Sequence, residues 1–517
     1  MEFDLFAREL KGLGAGRAFG IPGGGPSLKL VDALEQQGIP FITTGHETTG
    51  ALMAAASTRF GNNPSLCLSI KGPGFANMAP GLLSNAYEGF AHLSISEAYP
   101  QAMGPRRHKW LNHFHMGGEY LKSISGLSGS EGFATSTWEM ARSEYPGPAL
   151  IELAQQESPQ PRTSSSHATL NDPVPLMKVI EASQRPVLIL GGSCQRFSAT
   201  TVSMLETLNF PVFTTPCAKG VVNESLPHAA GIYTGDGSER TPEAKLLPLA
   251  DLVITLCVRS GEVLNPKAPG DNCLCLDLHR PADWRCFPPD DFGEVTEMQE
   301  EEIASILDDL SPRSWGQDEI QVALRLMDQD LLQHEGTPWQ AFAMVQEALP
   351  DAIHAVDTGN FTVMAEHALQ LSKPTDWIAT PNGRYMGMGV GYALGAAASS
   401  DRPVVLWIGD GGLRAFFSEL ALAVENQWNL LVLVMKDGHF GSILGRAQAM
   451  NWTGKPLVMR DRSFARVAET MGFRGEVVRA PEELHAGLTS WAKSRGPALF
   501  EVELKSESYI EATALLR

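Results

Sequence analysis

Two acids at the ends of apolar runs are the residues best placed to do chemistry. The stretch "RPVVLWIGDGG" (Arg402 to Gly412) reads as a buried strand ending in Gly409-Asp410-Gly411. Leu413, Phe417, Leu420 and Val424 follow it at helical spacing. "NLLVLVMKDGHFGS" (Asn429 to Ser442) reads as a second strand, ending in Lys436-Asp437-Gly438. Adjacent parallel strands would deliver Asp410 and Asp437 to one carboxyl edge, where ligands bind in open α/β sheets. Two carboxylates there, joined by phosphate oxygens and water, suit octahedral Mg²⁺. Amides at the start of the following helix suit the phosphates. Either Asp could instead cap a turn or a helix. A second Gly-Asp-Gly at residues 235–237 serves as a control. It follows no long apolar run, and the equivalent downstream distance holds Glu262 and Val263 rather than a strand-ending pair. That copy reads as a polar loop.

A third acid stands apart. In "FITTGHETTGALMAAAST" (Phe41 to Thr58), Glu47 lies beside His46 at the mouth of a helix otherwise made of small and apolar residues. A first-turn Glu favours the positive end of the helix dipole.

The elements that must position these acids alternate short apolar runs with amphipathic helical segments, the pattern of parallel α/β units. "QQESPQPRTSSSHATLNDPVP" (Gln155 to Pro175) reads as a linker, and a second polar zone begins at "DDLSPRSWGQDE" (Asp308 to Glu319). The expectation is three doubly wound parallel-sheet domains, over residues 1–157, 172–311 and 337–517. In the first, "AFGIPGGG" ends a strand in glycines, and "SLCLSIKGPGFANMAPGLLSNAYEG" is a strand, a Gly-Pro-Gly loop and a helix. The middle block opens with "RPVLILGGS", a weak signal for a dinucleotide crevice.

With 517 residues the chain is too long for one core. Its formal charge of -19 argues against a nucleic-acid partner and against an anionic membrane surface. The start "MEFDLFAREL" lacks the pattern of a signal peptide, and no run of about 18 apolar residues offers a membrane span. Seven sparse cysteines fit free thiols in a reducing cytoplasm. Cys273, Cys275 and Cys286 with His279 hint at a metal, but "CLCLDL" reads as an apolar strand carrying buried thiols.

Gly409-Asp410-Gly411, 24 further residues and then Lys436-Asp437 resemble the thiamine diphosphate motif of the acetolactate synthase and 2-oxo acid decarboxylase family. There the second element is usually two asparagines, the latter a metal ligand. Asp437 stands in that place, Lys436 departs from the pattern, and the third protein ligand implied is the carbonyl of His439. "FGIPGGG", "GHETTGALMAAA" and "KGPGFANMAPGLLSNAYEG" resemble the family's pyrimidine-binding domain. "RPVLILGG", "PVFTTPCAKG" and "ADLVITL" resemble its central domain, and "NGRYMGMGVGYALGA" the segment before the diphosphate motif. The resemblance places Met386 under the thiazolium as a wedge, a role its adaptable thioether suits; plain core packing is the other reading. It places the carbonyl of Arg384 near the aminopyrimidine. It adds Gly24, Gly409, Gly411, Gly412 and Phe440 to the cofactor's surroundings.

The resemblance also gives Glu47, 23 residues after Gly24, a second role. A buried carboxyl is held toward its neutral form by desolvation and can share a proton with the pyrimidine ring nitrogen. The activity implied is decarboxylation of a 2-oxo acid with thiamine diphosphate and Mg²⁺. The enamine left behind is either protonated to an aldehyde or ligated to a second carbonyl. Lys71, unusual at its place, could hold a substrate carboxylate or phosphonate, or reach out to solvent. His113 and His115 in "NHFHMGG" could relay protons near neutral pH or sit on a surface loop. No segment calls for FAD. A homodimer or homotetramer is implied, with the active site between chains. Another class stays open: a noncatalytic thiamine diphosphate-binding scaffold or assembly protein, for which Lys436 is the main support. A dehydrogenase fits worse, because no G-x-G-x-x-G opens a helix after a strand.

Overall fold

The computed structural model describes residues 2–61, 63–99, 107–127, 130–143, 145–153, 174–259, 262, 264–265, 267–278, 292 and 295–517. The expected linker after Gln155, together with His279 and Cys286, lies outside them, save for the helix that begins at Val174.

Among the described residues, three six-stranded sheets account for the strands. The first holds β1 (Ala18–Ile21), β2 (Phe41–Thr43), β3 (Leu66–Ser69), β4 (His92–Glu97), β5 (Ile124–Gly126) and β6 (Pro148–Leu153). The second holds β7 (Pro186–Leu190), β8 (Val212–Thr214), β9 (Ala229–Ile232), β10 (Leu252–Leu256), β11 (Cys273–Leu278) and β12 (Val295–Met298). The third holds β13 (Ile353–Val356), β14 (Trp377–Ala379), β15 (Val404–Gly409), β16 (Leu430–Lys436), β17 (Arg474–Val478) and β18 (Ala498–Glu503). The strand pairs are parallel and helices separate the strands, so the chain is a three-sheet α/β protein. Apolar residues on both faces of β15 and β16 follow from that: a parallel sheet covered by helices on two sides has no face for water.

The first sheet runs β2-β1-β3-β4-β6-β5 and the third runs β14-β13-β15-β16-β18-β17, the same order of crossovers. The central sheet differs, running β12-β11-β10-β7-β8-β9. Its topological switch point falls between β7 and β10; those of the outer sheets fall between β1 and β3 and between β13 and β15. The first and third blocks share one hydrophobic cluster. Within it the helix Glu47–Gly61 lies against the helix Gly389–Ser399, Leu52 and Met53 meeting Gly391 and Gly395.

The polar zone after Asp308 is largely helical. Helices Glu300–Leu310 and Gln317–Leu332 occupy it, and the second buries Ile320, Ala323, Met327 and Leu331 along one stripe. Charged residues dominate the sequence there because the opposite face is solvated. The Gly-Asp-Gly copy at 235–237 follows the short strand β9 in a loop bonded to Glu243, which accepts from the amides of Thr234 and Gly235. Among the described residues no helix is long and apolar enough to cross a membrane.

Candidate active site

At the carboxyl edge of the third sheet, β15 and β16 run in register to Gly409 and Met435, which sets Asp410 and Asp437 side by side. Asp410 opens the helix Asp410–Phe416. Its two oxygens accept from the amides of Gly411 at 2.9 Å and Gly438 at 3.0 Å. Asp437 Oδ1 accepts from the amide of His439 at 3.0 Å, but Oδ2 is buried without a hydrogen-bond partner. Burial, then the neighbouring Asp437, pushes Asp410 up to about 6, and burial pushes Asp437 up as well. Two like charges in a desolvated site disfavour joint ionisation, and a cation reverses that. The donors are hard oxygens, which suit Mg²⁺. Among the described residues no three His, Cys, Asp or Glu side chains gather at one point, so further ligands would be backbone or ligand oxygens and water.

Lys436, the departure from the motif, is accounted for. Its Nζ lies 2.6 Å from Glu501 Oε1 on β18 and 2.6 Å from Asp461 Oδ1. Burial works against the ammonium, but these two carboxylates outweigh it and raise its proton affinity above the ordinary lysine value.

The segment before the motif is held by an acid that sequence reasoning missed. Asp357, fully buried at the end of β13, accepts from the amides of Gly387 at 2.9 Å and Gly389 at 3.0 Å. Burial pushes it up to about 7 in spite of those amides. A Cβ at Gly412 would collide with its Oδ2, so only glycine lets the Asp410 helix approach. Arg384 adopts a left-handed backbone, φ +47°, uncommon outside glycine, and its guanidinium is 3.5 Å from the buried Glu366. Met386 is 43% exposed and lies over Gly411, its Sδ 3.7 Å from where a Cβ there would stand; the Phe440 ring closes on the same point at 2.9 Å. The one sequence signal for Asp357 was an acid closing the apolar run "AIHAV".

The first sheet supplies a second edge. Glu47 is buried at the start of its helix, and its Oε2 accepts from Asn77 Nδ2 at 3.0 Å. The helix mouth is tied to the third block, where Glu419 accepts from the amide of Gly45 at 3.0 Å. Lys71, after β3, places Nζ 2.7 Å from Glu97 Oε2, at the end of β4, and 5.2 Å from the Tyr99 ring centroid. It thus turns to a carboxylate of its own chain rather than out to solvent. Glu97 Oε1 accepts from Ser27 N at 3.1 Å and Ser27 Oγ at 2.7 Å. Burial opposes its charge, but the Lys71 and Ser27 hydrogen bonds prevail and hold it below the usual glutamate value. A Cβ on Gly23 would stand 2.9 Å from Glu97 Oε1, which explains a glycine in the turn above it. Gly24 is exposed and open. His113 is not on a surface loop: it is buried in the short helix His113–Gly117, stacked on Phe75 at 4.1 Å. Its Nδ1 is 2.9 Å from Glu152 Oε1, without the alignment of a hydrogen bond. His115 is exposed, and its amide donates to Asn112 Oδ1.

These two edges, with a buried acid pair on one and a buried helix-mouth glutamate on the other, define a cofactor-binding α/β protein. Comparison with known proteins gives the class. The thiamine pyrophosphate enzyme N-terminal TPP binding domain matches residues 3–115, the central domain 175–275 and the C-terminal TPP binding domain 357–502. The acetolactate synthase isozyme 1 large subunit of Escherichia coli (strain K12) is 23% identical, over 95% of this chain and 92% of that protein. The catabolic acetolactate synthase of Raoultella terrigena is 24% identical over 96% and 94%, and the oxalyl-CoA decarboxylase of Escherichia coli (strain K12) is 23% identical over 90% and 88%. The chain belongs to the thiamine diphosphate-dependent enzyme family that includes acetolactate synthases and 2-oxo acid decarboxylases.

Proposed function

We propose that the chain catalyses thiamine diphosphate- and Mg²⁺-dependent decarboxylation of a 2-oxo acid, releasing an aldehyde or ligating the remaining fragment to a second carbonyl. Residues 1–157, 172–311 and 337–517 then act as pyrimidine-binding, central and diphosphate-binding domains. The observation that carries the reading is the buried Asp410–Asp437 pair with its unpartnered Asp437 oxygen. Asp410, Asp437 and the carbonyl of His439 would hold the metal. Bound thiamine diphosphate supplies a nucleophilic carbon and an electron sink.

The chain's own groups do the rest. Glu47, buried and braced by Asn77, holds a proton for the aminopyrimidine. Met386 and Phe440, with Gly411 between them, offer an apolar seat beside the metal acids. Lys71 keeps donors beyond the one spent on Glu97 and can offer them to a substrate carboxylate. A second chain would cover the exposed Met386 and open Gly24, which favours an active site shared between protomers in a dimer or tetramer.

The test is product analysis by mass spectrometry with thiamine diphosphate, Mg²⁺ and a panel of 2-oxo acids, with and without carbonyl acceptors. Aldehyde as the main product marks a decarboxylase and a condensed product a carboligase. Consumption of no 2-oxo acid by cofactor-loaded protein would refute the reading.

A further inference from the structure

A cavity of about 200 Å³ lies where the three blocks meet. Arg59 and Glu88 reach it from the first block, Ser193, Arg196 and Arg259 from the second, and Trp377 from the third. It opens beside Gly192, just past the end of β7, at the switch point of the central sheet.

Arg59 is the unusual group. It sits in the last turn of the Glu47–Gly61 helix. Nη1 donates to Gln195 Oε1 at 3.0 Å and Nη2 to the Pro374 carbonyl at 2.7 Å, both neutral acceptors. Nε is buried without a partner, and the Phe90 ring lies 5.4 Å from the guanidinium carbon. Among the described residues no carboxylate pairs with it. Arg259, across the cavity, is matched: its Nε is 3.3 Å from Glu262, and it lies 4.3 Å from the Tyr145 ring centroid. Buried charges are normally paired, and burial pushes the Arg59 guanidinium down to about 10. Glu88 does little to balance it, since burial pushes that carboxyl up to about 8.

We propose that this inter-domain cavity binds one small oxyanion, of the phosphate or carboxylate type, on the Arg59 guanidinium. The volume admits such an ion with a few waters and falls below that of pockets for drug-sized ligands. The wall continues into the segment that carries Arg384 and Met386. Glu88 accepts from the amides of Asn382 at 3.1 Å and Gly383 at 2.8 Å, and Cys217 Sγ donates to Asn382 Oδ1 at 3.1 Å. An ion held here joins all three blocks behind that segment.

The experiment uses protein saturated with thiamine diphosphate and Mg²⁺, so that the diphosphate site is filled. Inorganic phosphate and malonate are titrated separately at constant ionic strength, with chloride as reference, by calorimetry and thermal unfolding. One phosphate or one malonate per chain is expected, with a saturable rise in the thermal midpoint; whichever binds tighter names the source. Arg59→Met should weaken binding at least tenfold. Cys217→Met, which narrows the cavity and leaves Arg59 in place, should weaken it as well. No response beyond chloride, native-like binding in either variant, or preference for adenosine diphosphate over both small ions would each overturn the assignment. These outcomes are read without substrate, so they stand apart from success or failure of the decarboxylation assay.

Discussion

The first and third sheets repeat one strand order, yet their carboxyl edges carry opposite electrostatics. In the first, the residues after β3 and at the end of β4 are Lys71 and Glu97, a cation and an anion closed on each other at 2.7 Å. In the third, the corresponding strands β15 and β16 deliver Asp410 and Asp437, two anions, one with an unsatisfied buried oxygen. The same scaffold thus makes one edge that neutralises itself and one that gathers two buried acids with an unpartnered oxygen. The self-neutralised edge holds the Lys71 ammonium in place through Glu97. On the proposed function, the metal falls to the edge that lacks a counter-charge, and the cofactor's ring to Glu47 of the other.

The largest effect should come from Glu47, a buried acid of the first edge that lies outside the Lys71–Glu97 pair. Glu47→Gln keeps the shape and the Asn77 contact but cannot give up a proton. Loss of 10² to 10⁴ in kcat is expected with an unchanged circular dichroism spectrum. Near-native turnover would move the catalytic acid elsewhere and break the division of labour between the edges.

Asp437→Asn tests the imported cation. Calorimetry should show cofactor affinity in the presence of Mg²⁺ falling at least tenfold. In EDTA the thermal midpoint should stay level or rise, because a like-charge contact with Asp410 is gone. A drop in EDTA would mean that the pair is structurally satisfied without metal.

How far these edges could be read in advance depended on locality. Asp410 and Asp437 were legible because each closes a long apolar run, and a strand end is a position that sequence marks. Glu47 was legible as an acid in an otherwise apolar helix. The partner of Lys71 was not: Glu97 lies 26 residues on, and only the sheet order brings β3 beside β4. The same holds for Asp357, whose amide partners come 30 and 32 residues later. The repeated strand order was also hidden, since crossovers leave no local trace. Helix Gln317–Leu332 left little trace in the sequence, because its buried stripe is narrow and its exposed face is charged.

A middle-sized effect is expected at Lys71. Lys71→Met leaves Glu97 buried without its ammonium. The pair is partly exposed at the Lys71 end, so the cost should be about 2 kcal/mol rather than the larger figure for a fully buried pair. The substrate half-saturation constant should also rise. Adding Glu97→Gln should recover stability, because no unpaired charge remains, while the half-saturation constant stays high. Recovery of both would make the pair purely structural; unchanged kinetics in the single variant would remove Lys71 from the substrate's reach.

The smallest effect sits at the join between the two regions. Glu88, at the end of the helix Pro73–Glu88, bonds the segment that leads to the third edge. Burial raises its carboxyl from 4.5 to about 8, against the pull of the Gly383 and Asn382 amides and of Arg384 and Arg259. Between those values the folded state binds more protons than the unfolded one, so stability from this group is full below the lower value and falls as pH rises, being lost above the higher one. The slope cannot exceed about 1.4 kcal/mol per pH unit. Glu88→Gln stays uncharged throughout and keeps an oxygen for one of the amides. The difference in thermal midpoint between variant and native protein should therefore be small near pH 5 and grow in the variant's favour toward pH 8. A difference that stays flat across this range would mean that Glu88 is already ionised at pH 5, held as an anion by Arg384 and Arg259. The join would then be an ion pair, electrostatically akin to the first edge rather than to the third.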